Sequence, residues 1–303
     1  MIILTDNIDF AGSYFRPPDN SVNNYGTPLT GLLEKKFFLF DSSSYQYELP
    51  FWKYGFITKY AEESQFDALM ELSGQKIQIP DKIFCMADSG KKFHGFRNRK
   101  WESHTGNIHL SCYFKPYVSP GFVGLGFTML AAVSVVETLN EIPQLNGMAK
   151  IKWVNDILIG SSKICGVIAQ TQIQGDKVTD AVIGIGLNVE SVPKIQPTSF
   201  VPTATSVNKE SSQNYSAGYI SHILLKKISE NYNLLINEGV QSILKKYKEN
   251  SLIMGRKISI WTDPHQASPV PIRSGIVKSI GDYLEIYLEN SNTPITDGRI
   301  VLE

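Results

Sequence analysis

A lysine at the end of a predicted strand is the first residue whose type and position suggest chemistry. Lys152 stands in "KIKWVND", between Ile151 and Trp153, which both favour burial. The pair Asn155-Asp156 follows at once and ends the strand. Because side chains alternate between the two faces of a strand, Lys152 lies opposite its apolar neighbours. A solvated sheet face is the commoner place for such an ammonium group. The alternative is a cleft, where the ammonium would stabilise negative charge on a phosphate or carbonyl oxygen by about 2.7–4 kcal/mol.

A basic loop is the second candidate. The stretch "GKKFHGFRNRKW" (90–101) lies between two predicted strands, and Gly90 and Gly95 give its backbone freedom. Its cationic residues are Lys91, Lys92, Arg97, Arg99 and Lys100, with His94 among them. Such a loop suits a polyanion, either the phosphates of a nucleotide or a nucleic-acid backbone. Taken alone, the loop is equally typical of a solvated surface.

The third candidate is the glycine-punctuated strand "GIGLN" (184–188). A single G-x-G commonly marks a strand that a neighbouring backbone approaches closely. It is not a dinucleotide fingerprint, because no GxGxxG opens a helix here. The sequence also lacks a P-loop, a G-x-S-x-G elbow and an H-E-x-x-H motif. His104 and His109 flank a predicted strand, and we expect them to be packing or surface groups rather than ligands.

Composition limits the class of protein. The chain has 303 residues, 42% of them hydrophobic, which suits one large domain and a smaller one. The 29 basic residues balance 29 acidic ones, so no overall field directs the protein to nucleic acid or to a membrane. Its apolar runs are shorter than the roughly 20 residues that span a bilayer, and its start lacks the basic region of a signal peptide. Three widely spaced cysteines predict neither zinc nor a disulfide framework, so we expect a reduced, cytoplasmic protein.

The elements that would position these residues can be predicted from periodicity and turn signals. Residues 1–50 are expected to be irregular or edge structure, with a short strand in "EKKFFLFD". The other predicted elements are a helix at 66–74, strands at 81–90 and 106–116, a core helix after Pro120, strands at 149–154 and 164–171 around the turn "DILIGSS", and a strand at 181–189. Two amphipathic helices follow, in "AGYISHILLKKISENYNLLINEG" and "VQSILKKYKEN". After Gly255 four short strands predict a small β-barrel.

The order of these motifs resembles that of the biotin–protein ligases, of the holocarboxylase synthetase-like kind within the biotin/lipoate ligase superfamily. "KWVND" is close to the family's K-W-P-N-D, "KICGVIAQ" resembles K-[LI]-x-G-[IV]-L-V-E, and "GIGLN" matches G-x-G-x-N. The resemblance runs from about residue 50 to the C-terminus. It implies an α+β fold, a mixed sheet with packed helices as in class II synthetases, plus a small C-terminal SH3-like β-barrel. The implied divisions are an N-terminal extension (1–50), a catalytic domain (51–252) and the C-terminal β domain (253–303).

The resemblance also implies an activity. Such enzymes join biotin to ATP, hold biotinyl-AMP, and acylate a lysine on the biotin carboxyl carrier domain of a carboxylase. Mg²⁺ is expected to arrive with ATP, since no protein motif binds a metal. We expect a monomer or homodimer with no membrane partner. We also expect no nucleic-acid partner, because residues 1–50 lack the helical periodicity of a helix-turn-helix.

By the same resemblance, Lys152 contacts the activated carboxylate and the phosphate. Ser64 and Gln65 fall where the family holds the biotin head, although Glu63 replaces an expected serine, and Trp101 lies near the adenine. The other residues implied in substrate or adenylate binding are Gly90, His94, Gly95, Phe96, Arg97, Arg99, Asn155, Gly166, Gly184, Gly186 and Asn188.

The basic loop departs from the family pattern. Relatives carry G-R-G-R-x-G-R, whereas residues 93–99 read "FHGFRNR", in which only Gly95 and Arg99 match. Lysine does not reproduce the bidentate geometry of arginine, so nearby lysines replace only the charge. Val154 for proline and Gln170 for glutamate are milder changes. Three hypotheses therefore stand: a biotin–protein ligase, a same-fold enzyme for another acid such as octanoate or lipoate, and a non-catalytic binding module.

Overall fold

A mixed β-sheet forms the centre of the computed structural model, which describes residues 1–15, 22–23, 38–41, 49–75, 78–119, 123–201, 203–262, 271–289 and 291–303. Within these residues the sheet has eleven strands: β1 (Ile2–Thr5), β2 (Val22–Asn23), β3 (Phe38–Asp41), β4 (Tyr54–Ala61), β5 (Ile83–Gly90), β6 (Ile108–Phe114), β7 (Ala149–Lys152), β8 (Asp156–Ile159), β9 (Ser162–Gln174), β10 (Lys177–Leu187) and β11 (Thr203–Ala204). Their order is β2-β3-β1-β4-β5-β6-β10-β9-β8-β7, with β11 beside β9. β1, β4 and β5 run parallel, as do β9 and β11, and the other pairs are antiparallel.

Helices cover both faces of this sheet. They are α1 (Ile8–Tyr14), α2 (Gln65–Gly74), α3 (Val123–Asn140), α4 (Val207–Ser211), α5 (Ala217–Glu238) and α6 (Val240–Glu249). Alternation along β5 shows the two layers, since Phe84 packs into the cluster under α3 and α5 while Cys85 packs against α2. Because both faces are covered, the central strands are apolar throughout, as all seven buried residues of β6 illustrate.

The C-terminal residues form a second, smaller sheet. Its strands are β12 (Lys257–Trp261), β13 (Pro271–Ile280), β14 (Ile286–Leu288) and β15 (Arg299–Leu302), in the antiparallel order β14-β13-β12-β15. The indole nitrogen of Trp153 donates a hydrogen bond to the carbonyl of Leu284 at 2.6 Å, which ties the end of β7 to this sheet. The fold class predicted from the sequence, a mixed sheet with helices and a small C-terminal β domain, is confirmed.

Two local predictions were wrong. Residues 1–50 are not all irregular or edge structure: β1 lies between β3 and β4 and buries Ile3 and Leu4, and Ile8–Tyr14 forms helix α1. In "DILIGSS" the first four residues form β8 rather than a turn, since they pair with β7 on one side and β9 on the other. The predicted strand in "EKKFFLFD" is confirmed as β3, and much of the rest of residues 1–50 lies outside the described residues.

The helices are amphipathic or fully buried according to where they pack. α3 lies between the sheet and helices α5 and α6, and its middle residues are therefore almost all buried. No helix in the described ranges is both long and apolar enough to cross a membrane. α2 begins at Ser64, whose side chain accepts a hydrogen bond from the backbone N–H of Asp67 and caps the helix.

Candidate active site

Two neighbouring cavities lie beside the basic loop, which we call the flap (residues 90–101). The first, of about 360 Å³, lies between the start of α2, the flap, strands β6, β9 and β10, and the 191–201 loop. The second, of about 500 Å³, lies between the ends of β7 and β8, strand β9, the flap and the C-terminal sheet. The residues that line both cavities, and so form a shared wall, are Phe96, Arg99, Asn155, Asp156, Val167, Ile168 and Arg299.

Most of the residues predicted for the site line the first cavity. They are Ser64, Gln65, His94, Gly95, Phe96, Arg99, Trp101, Asn155, Gly166, Gly184, Gly186 and Asn188. Lys152 and Arg97 line the second cavity instead. Gly90 lines neither: it lies under the ring of Phe93 and against the carbonyl of Ala61, so its expected place in the binding site is not supported by this geometry.

The glycines of "GIGLN" allow rings and side chains, rather than a neighbouring backbone, to approach the sheet. A Cβ on Gly186 would lie 2.4 Å from the indole of Trp101, and a Cβ on Gly184 would lie 2.9 Å from Ile168 and 3.1 Å from Phe66. Contacts under 3.0 Å to a packed ring cannot be relieved by a small shift. Gly186 is therefore required for Trp101 to lie flat on β10 and form a wall of the first cavity.

Ion pairs hold the flap at both of its ends. On one side Lys91 pairs with Glu62 at 3.0 Å and Lys92 with Glu63 at 2.5 Å, and all four side chains are largely exposed. On the other side Arg97 pairs with Asp297 of the C-terminal sheet at 2.7 Å. Lys91 and Lys92 line neither cavity, so they do not replace the arginines that the flap lacks.

His94 occupies the position of one of those arginines and contacts α2. Its Nε2 lies 2.9 Å from the carboxylate of Asp67, and its Nδ1 lies 3.1 Å from the carbonyl of Gly95. Partial burial lowers the pKa of His94, but the hydrogen bonds to Asp67 and Gly95 outweigh it, and the net shift is upward. The imidazole therefore anchors the flap to α2 rather than presenting a free cation to the cavity.

Four cations share one carboxylate at the wall between the cavities. Lys163 pairs with Asp156 at 2.5 Å, and Asp156 also feels the charges of Lys152, Arg99 and Arg299. Burial raises the pKa of Asp156, but these cations outweigh it and hold the pKa below its ordinary value. We call Lys152, Lys163, Arg99, Arg299 and Asp156 the cation cluster. Its positive charge exceeds its negative charge, so the cluster suits an anion.

Lys152 is buried in this cluster, with 6% of its surface exposed. Burial lowers its pKa to about 8. The charges of Arg299, Lys163 and Arg99 act in the same direction, and only Asp156 opposes them. Its ammonium group donates a hydrogen bond to the carbonyl of Phe200 at 2.5 Å. The side chain therefore points into the protein beside the second cavity, not onto a solvated sheet face.

Arg299 enters the site from the C-terminal sheet. Its guanidinium lies 3.8 Å from the ring centroid of Phe200, a residue of the 191–201 loop. Burial lowers the pKa of Arg299 to about 10, and the charge of Arg99 adds to this. Arg299 has no signal in the sequence, because β15 reaches the site only through the packing of a sheet far along the chain. Lys163 stands within "KICGVIAQ", and its place in the site likewise emerges only from the structure.

Three polar atoms in the walls of the first cavity have no hydrogen-bond partner within the described part of the chain. They are Gln65 Nε2, Trp101 Nε1 and His109 Nε2, and all three are buried. His109 was expected to be a packing or surface residue. In the structure it is 6% exposed, packs with its ring 5.3 Å from that of Phe93, and lines the cavity. A single histidine in a strand carries no spacing signal, so sequence reasoning had no means to select it.

Comparison with known proteins agrees with this arrangement. Residues 81–188 match the model of the biotin/lipoate A/B protein ligase family. The chain is 34% identical over 148 residues to the bifunctional ligase/repressor BirA of Bacillus subtilis (48% of this chain, 45% of that protein). It is 25% identical over 185 residues to biotin–protein ligase 2 of Arabidopsis thaliana (60% of this chain, 54% of that protein). The chain thus spans about half the length of the curated relatives it matches.

Solved structures show the same fold over most of the chain. The biotin protein ligase of Aquifex aeolicus, in complex with biotin and ATP, has a TM-score of 0.63 at 21% identity and covers 83% of this chain and 99% of its own. That of Leishmania major, in complex with biotinyl-5-AMP, has a TM-score of 0.52 at 14% identity, covering 82% of this chain and 98% of its own. Residues 81–188 are therefore similar to the biotin/lipoate A/B protein ligase family, and the chain has the fold of biotin protein ligases, which confirms the resemblance drawn from its motifs.

Proposed function

We propose that this chain is a biotin–protein ligase: it activates biotin with ATP and transfers the biotinyl group to a lysine of a carboxylase carrier domain. The observation that carries this proposal is the cation cluster at the wall shared by two cavities. The first cavity then holds the acid, the second holds the nucleotide, and the reacting carboxylate and phosphate meet between them. This assignment puts Trp101 on the acid side, not near the adenine as the resemblance implied. A site with excess positive charge at that junction stabilises the charge of both groups.

In the first step the acid lies in the first cavity with its carboxylate at the shared wall. A carboxylate oxygen attacks the α-phosphorus of ATP, the bond to the β-phosphate oxygen breaks, and pyrophosphate leaves. Lys152, Arg99 and Arg299 offset the negative charge that spreads over the phosphate oxygens. For Lys152 this requires that its ammonium exchange the carbonyl of Phe200 for a substrate oxygen.

In the second step the amine of a carrier lysine attacks the acyl carbon. A C–N bond forms, the bond from the acyl carbon to the phosphate oxygen breaks, AMP leaves, and the amine loses a proton. No protein nucleophile takes part in either step. The flap, held by ion pairs at both ends, keeps water from the mixed anhydride between the two steps.

Magnesium enters this scheme as part of the substrate Mg–ATP. The described residues contain no group of three or more histidine, cysteine or acidic side chains placed to hold a metal ion. Asp156, the carboxylate of the cluster, is paired with Lys163. The phosphate oxygens of ATP are hard ligands of the kind that Mg²⁺ prefers, so the ion is held mainly by the nucleotide.

The second candidate is activation of another acid, such as octanoate or lipoate. It is favoured by Phe93 and Phe96, which line the first cavity at positions where the family pattern has glycine and arginine. The hydrocarbon chain of octanoate or lipoate would pack against the apolar ring of Phe93 in the first cavity.

Isotope exchange between pyrophosphate and ATP tests the proposal. The full chain is incubated with Mg–ATP and labelled pyrophosphate, with biotin, octanoate, lipoate or no acid. We expect exchange with biotin alone, followed by transfer of biotin to a carrier domain. Exchange with octanoate or lipoate and not with biotin would establish the second candidate. If calorimetry detects biotin or ATP binding but no acid supports exchange, the chain is a binding module.

A further inference from the structure

The flap is tied to helix α2 by a histidine whose two ring nitrogens both face hydrogen-bond acceptors. Nε2 of His94 lies 2.9 Å from each carboxylate oxygen of Asp67, and Nδ1 lies 3.1 Å from the carbonyl oxygen of Gly95. An ionised carboxylate and a carbonyl only accept hydrogen bonds, so both nitrogens must carry a hydrogen for both contacts to form. The geometry of this contact therefore requires the protonated, positively charged form of His94.

Loss of the proton from His94 breaks this arrangement. A neutral imidazole keeps only one of the two hydrogens, so a bare nitrogen then faces either the carboxylate or the carbonyl. Partial burial lowers the pKa of His94, but the hydrogen bonds to Asp67 and Gly95 outweigh it and hold the pKa above its ordinary value of 6.5. The contact is therefore fully formed below pH 6.5 and is lost as the pH rises through the raised pKa.

The other charged groups around His94 have partners of their own. On the flap these pairs are Lys91–Glu62, Lys92–Glu63, Arg97–Asp297 and Lys100–Glu102, while Arg99 acts on Asp156 in the cation cluster. On α2, Glu71 accepts a hydrogen bond from the side chain of Gln75. On β6, burial lowers the pKa of His109 to about 4, so that ring is already neutral where His94 titrates. Asp67 is therefore the carboxylate that responds to the proton of His94.

This contact lies at the rim of the first cavity. His94 lines that cavity, whereas Asp67 lines neither cavity and its side chain is 53% exposed. Asp67 can therefore act on the flap without touching what the cavity holds. The lysine, arginine and carboxylate pairs of the flap keep their charges between about pH 6 and 9, so they add no pH dependence in that range.

We propose that Asp67 is a positioning residue: through the protonated His94 it holds the flap closed over the first cavity, and the flap opens as His94 loses its proton. The flap of this chain then has a pH-sensitive attachment at α2 and a pH-insensitive one at the C-terminal sheet, where Arg97 pairs with Asp297. Access to the first cavity increases as the solution becomes more alkaline.

Cleavage of the flap by chymotrypsin tests this proposal on the full chain without ligand. Chymotrypsin cuts after aromatic residues, and the flap contains Phe93, Phe96 and Trp101. Fragment masses identify cuts within the flap. At each pH, the rate is divided by that of a free peptide of residues 90–101, which removes the pH dependence of the protease. The resulting ratio follows the population of open flap when the flap recloses faster than it is cut.

Three variants separate the possible causes of a pH effect. D67N removes the carboxylate, and H94R keeps a positive charge at every pH used and is compared with a peptide that carries the same substitution. E71Q is the matched control, because Glu71 lies one turn further along α2 and lines neither cavity.

We expect the cleavage ratio of the unchanged chain to rise about three- to tenfold between about pH 6 and 9. The rise is modest because Asp67 is half exposed and solvent screens the pair. E71Q should show the same rise. D67N should be cleaved rapidly at both pH values, and H94R slowly at both, so neither should show the rise.

An equal ratio at both pH values in the unchanged chain would overturn the proposal, and that comparison needs no variant to fold. The same rise in folded D67N or H94R would also overturn it, because the pH dependence would then belong to another group, such as Lys152 with its pKa of about 8. Neither ligand nor turnover enters the measurement. Its failure therefore leaves the ligase proposal standing, and absence of pyrophosphate exchange with biotin would leave the role of Asp67 standing.

Discussion

The residues of this site differ in how readily each could be predicted from the sequence. Lys152 could be selected because an ammonium group stands among apolar strand residues just before a turn, and the structure buries it beside a cavity. Its present hydrogen-bond partner, the carbonyl of Phe200, belongs to no motif. His109 and Arg299 could not be selected, because each is a lone residue whose meaning comes from its neighbours in space. Charge and spacing thus identify residues that stand in a motif, whereas residues that join the site only through packing cannot be identified from the sequence.

At the residue scale, Lys152→Ala should leave the fold intact and lower the rate of adenylate formation by about a hundredfold or more, the equivalent of roughly 2.7–4 kcal/mol. The reason is that the ammonium group offsets phosphate charge in the transition state. Biotin-dependent pyrophosphate exchange measures the rate, and circular dichroism checks the fold. Lys150→Ala, two residues earlier on β7 and outside both cavities, is the control. Equal rates for Lys152→Ala and the unchanged chain would reduce Lys152 to a structural role.

The lowered pKa of Lys152, about 8, predicts a proton linkage. The unfolded lysine has the ordinary value of 10.5, so between pH 8 and 10.5 the folded chain binds fewer protons than the unfolded chain. The buried charge therefore lowers the free energy of unfolding below pH 8. This destabilisation is relieved as the pH rises from about 8 to 10.5. An anion bound to the ammonium raises the pKa again, so ATP binding near pH 8 should take up protons.

Calorimetry of ATP binding at pH 8 in buffers of different ionisation enthalpy measures this uptake. Lys152→Met should abolish most of it while the variant remains folded. The same uptake in Lys152→Met would assign the linkage to another group and contradict the lowered pKa of Lys152.

Elements were easier to predict where the pattern is local. α2, α3 and β6 could each be located from a local signal: a glycine at the end of the helix, a long apolar run and an alternating pattern, respectively. β1 and β8 could not, because "IILT" and "DILI" are too short to show a period and become strands only when neighbours on both sides supply hydrogen bonds. The flap is the intermediate case. Its charge is visible in the sequence, whereas its use of Lys91 and Lys92 to bind Glu62 and Glu63 is not.

At the element scale, Asp297→Asn should loosen the flap, because it removes the charge that pairs with Arg97 at 2.7 Å. Exposed ion pairs contribute about 0–1 kcal/mol, so trypsin cleavage at Arg97 and Arg99 should accelerate by a few-fold at most. Biotin together with ATP should slow cleavage in both proteins. Asp282→Asn serves as the matched control, because Asp282 lies between β13 and β14 and forms a longer pair, at 3.9 Å, with Lys248 of α6. Identical cleavage rates for all three proteins would show that Arg97 and Asp297 do not restrain the flap.

At the scale of the whole molecule, the candidate site lies between the main sheet and the C-terminal sheet. The C-terminal sheet supplies Arg299 to the cation cluster and Asp297 to the flap, and it accepts the hydrogen bond of Trp153 through Leu284. Its buried residues, including Ile258, Val277 and Ile300, belong to the same core cluster as those under the main sheet. Because the cores are continuous, removal of the whole C-terminal unit would disturb folding and activity together. Point variants separate the two effects.

At this scale, Arg299→Gln should raise the KM for ATP about tenfold or more, since a hydrogen-bonded charge contributes about 1.5–3 kcal/mol at such sites. Arg273→Gln is the control, because that arginine lies on β13, lines neither cavity, and donates hydrogen bonds to Ser291 and Thr293 in the loop between β14 and β15. Steady-state exchange kinetics give the KM values. If the Arg299→Gln variant has the same KM for ATP as the unchanged chain, Arg299 of the C-terminal sheet takes no part in nucleotide binding.

The bond from the Lys152 ammonium to the carbonyl of Phe200 has a consequence for affinity. The carbonyl oxygen of Phe200 competes with a substrate for the Lys152 ammonium group. A phosphate oxygen that binds Lys152 must therefore displace this carbonyl oxygen. The measured affinity for the nucleotide then reflects the difference in free energy between the bond from Lys152 to the phosphate and the bond from Lys152 to Phe200. It also depends on the conformations that the 191–201 loop can adopt once this bond is broken. Changes in that loop should retune nucleotide affinity without touching any residue that contacts the nucleotide.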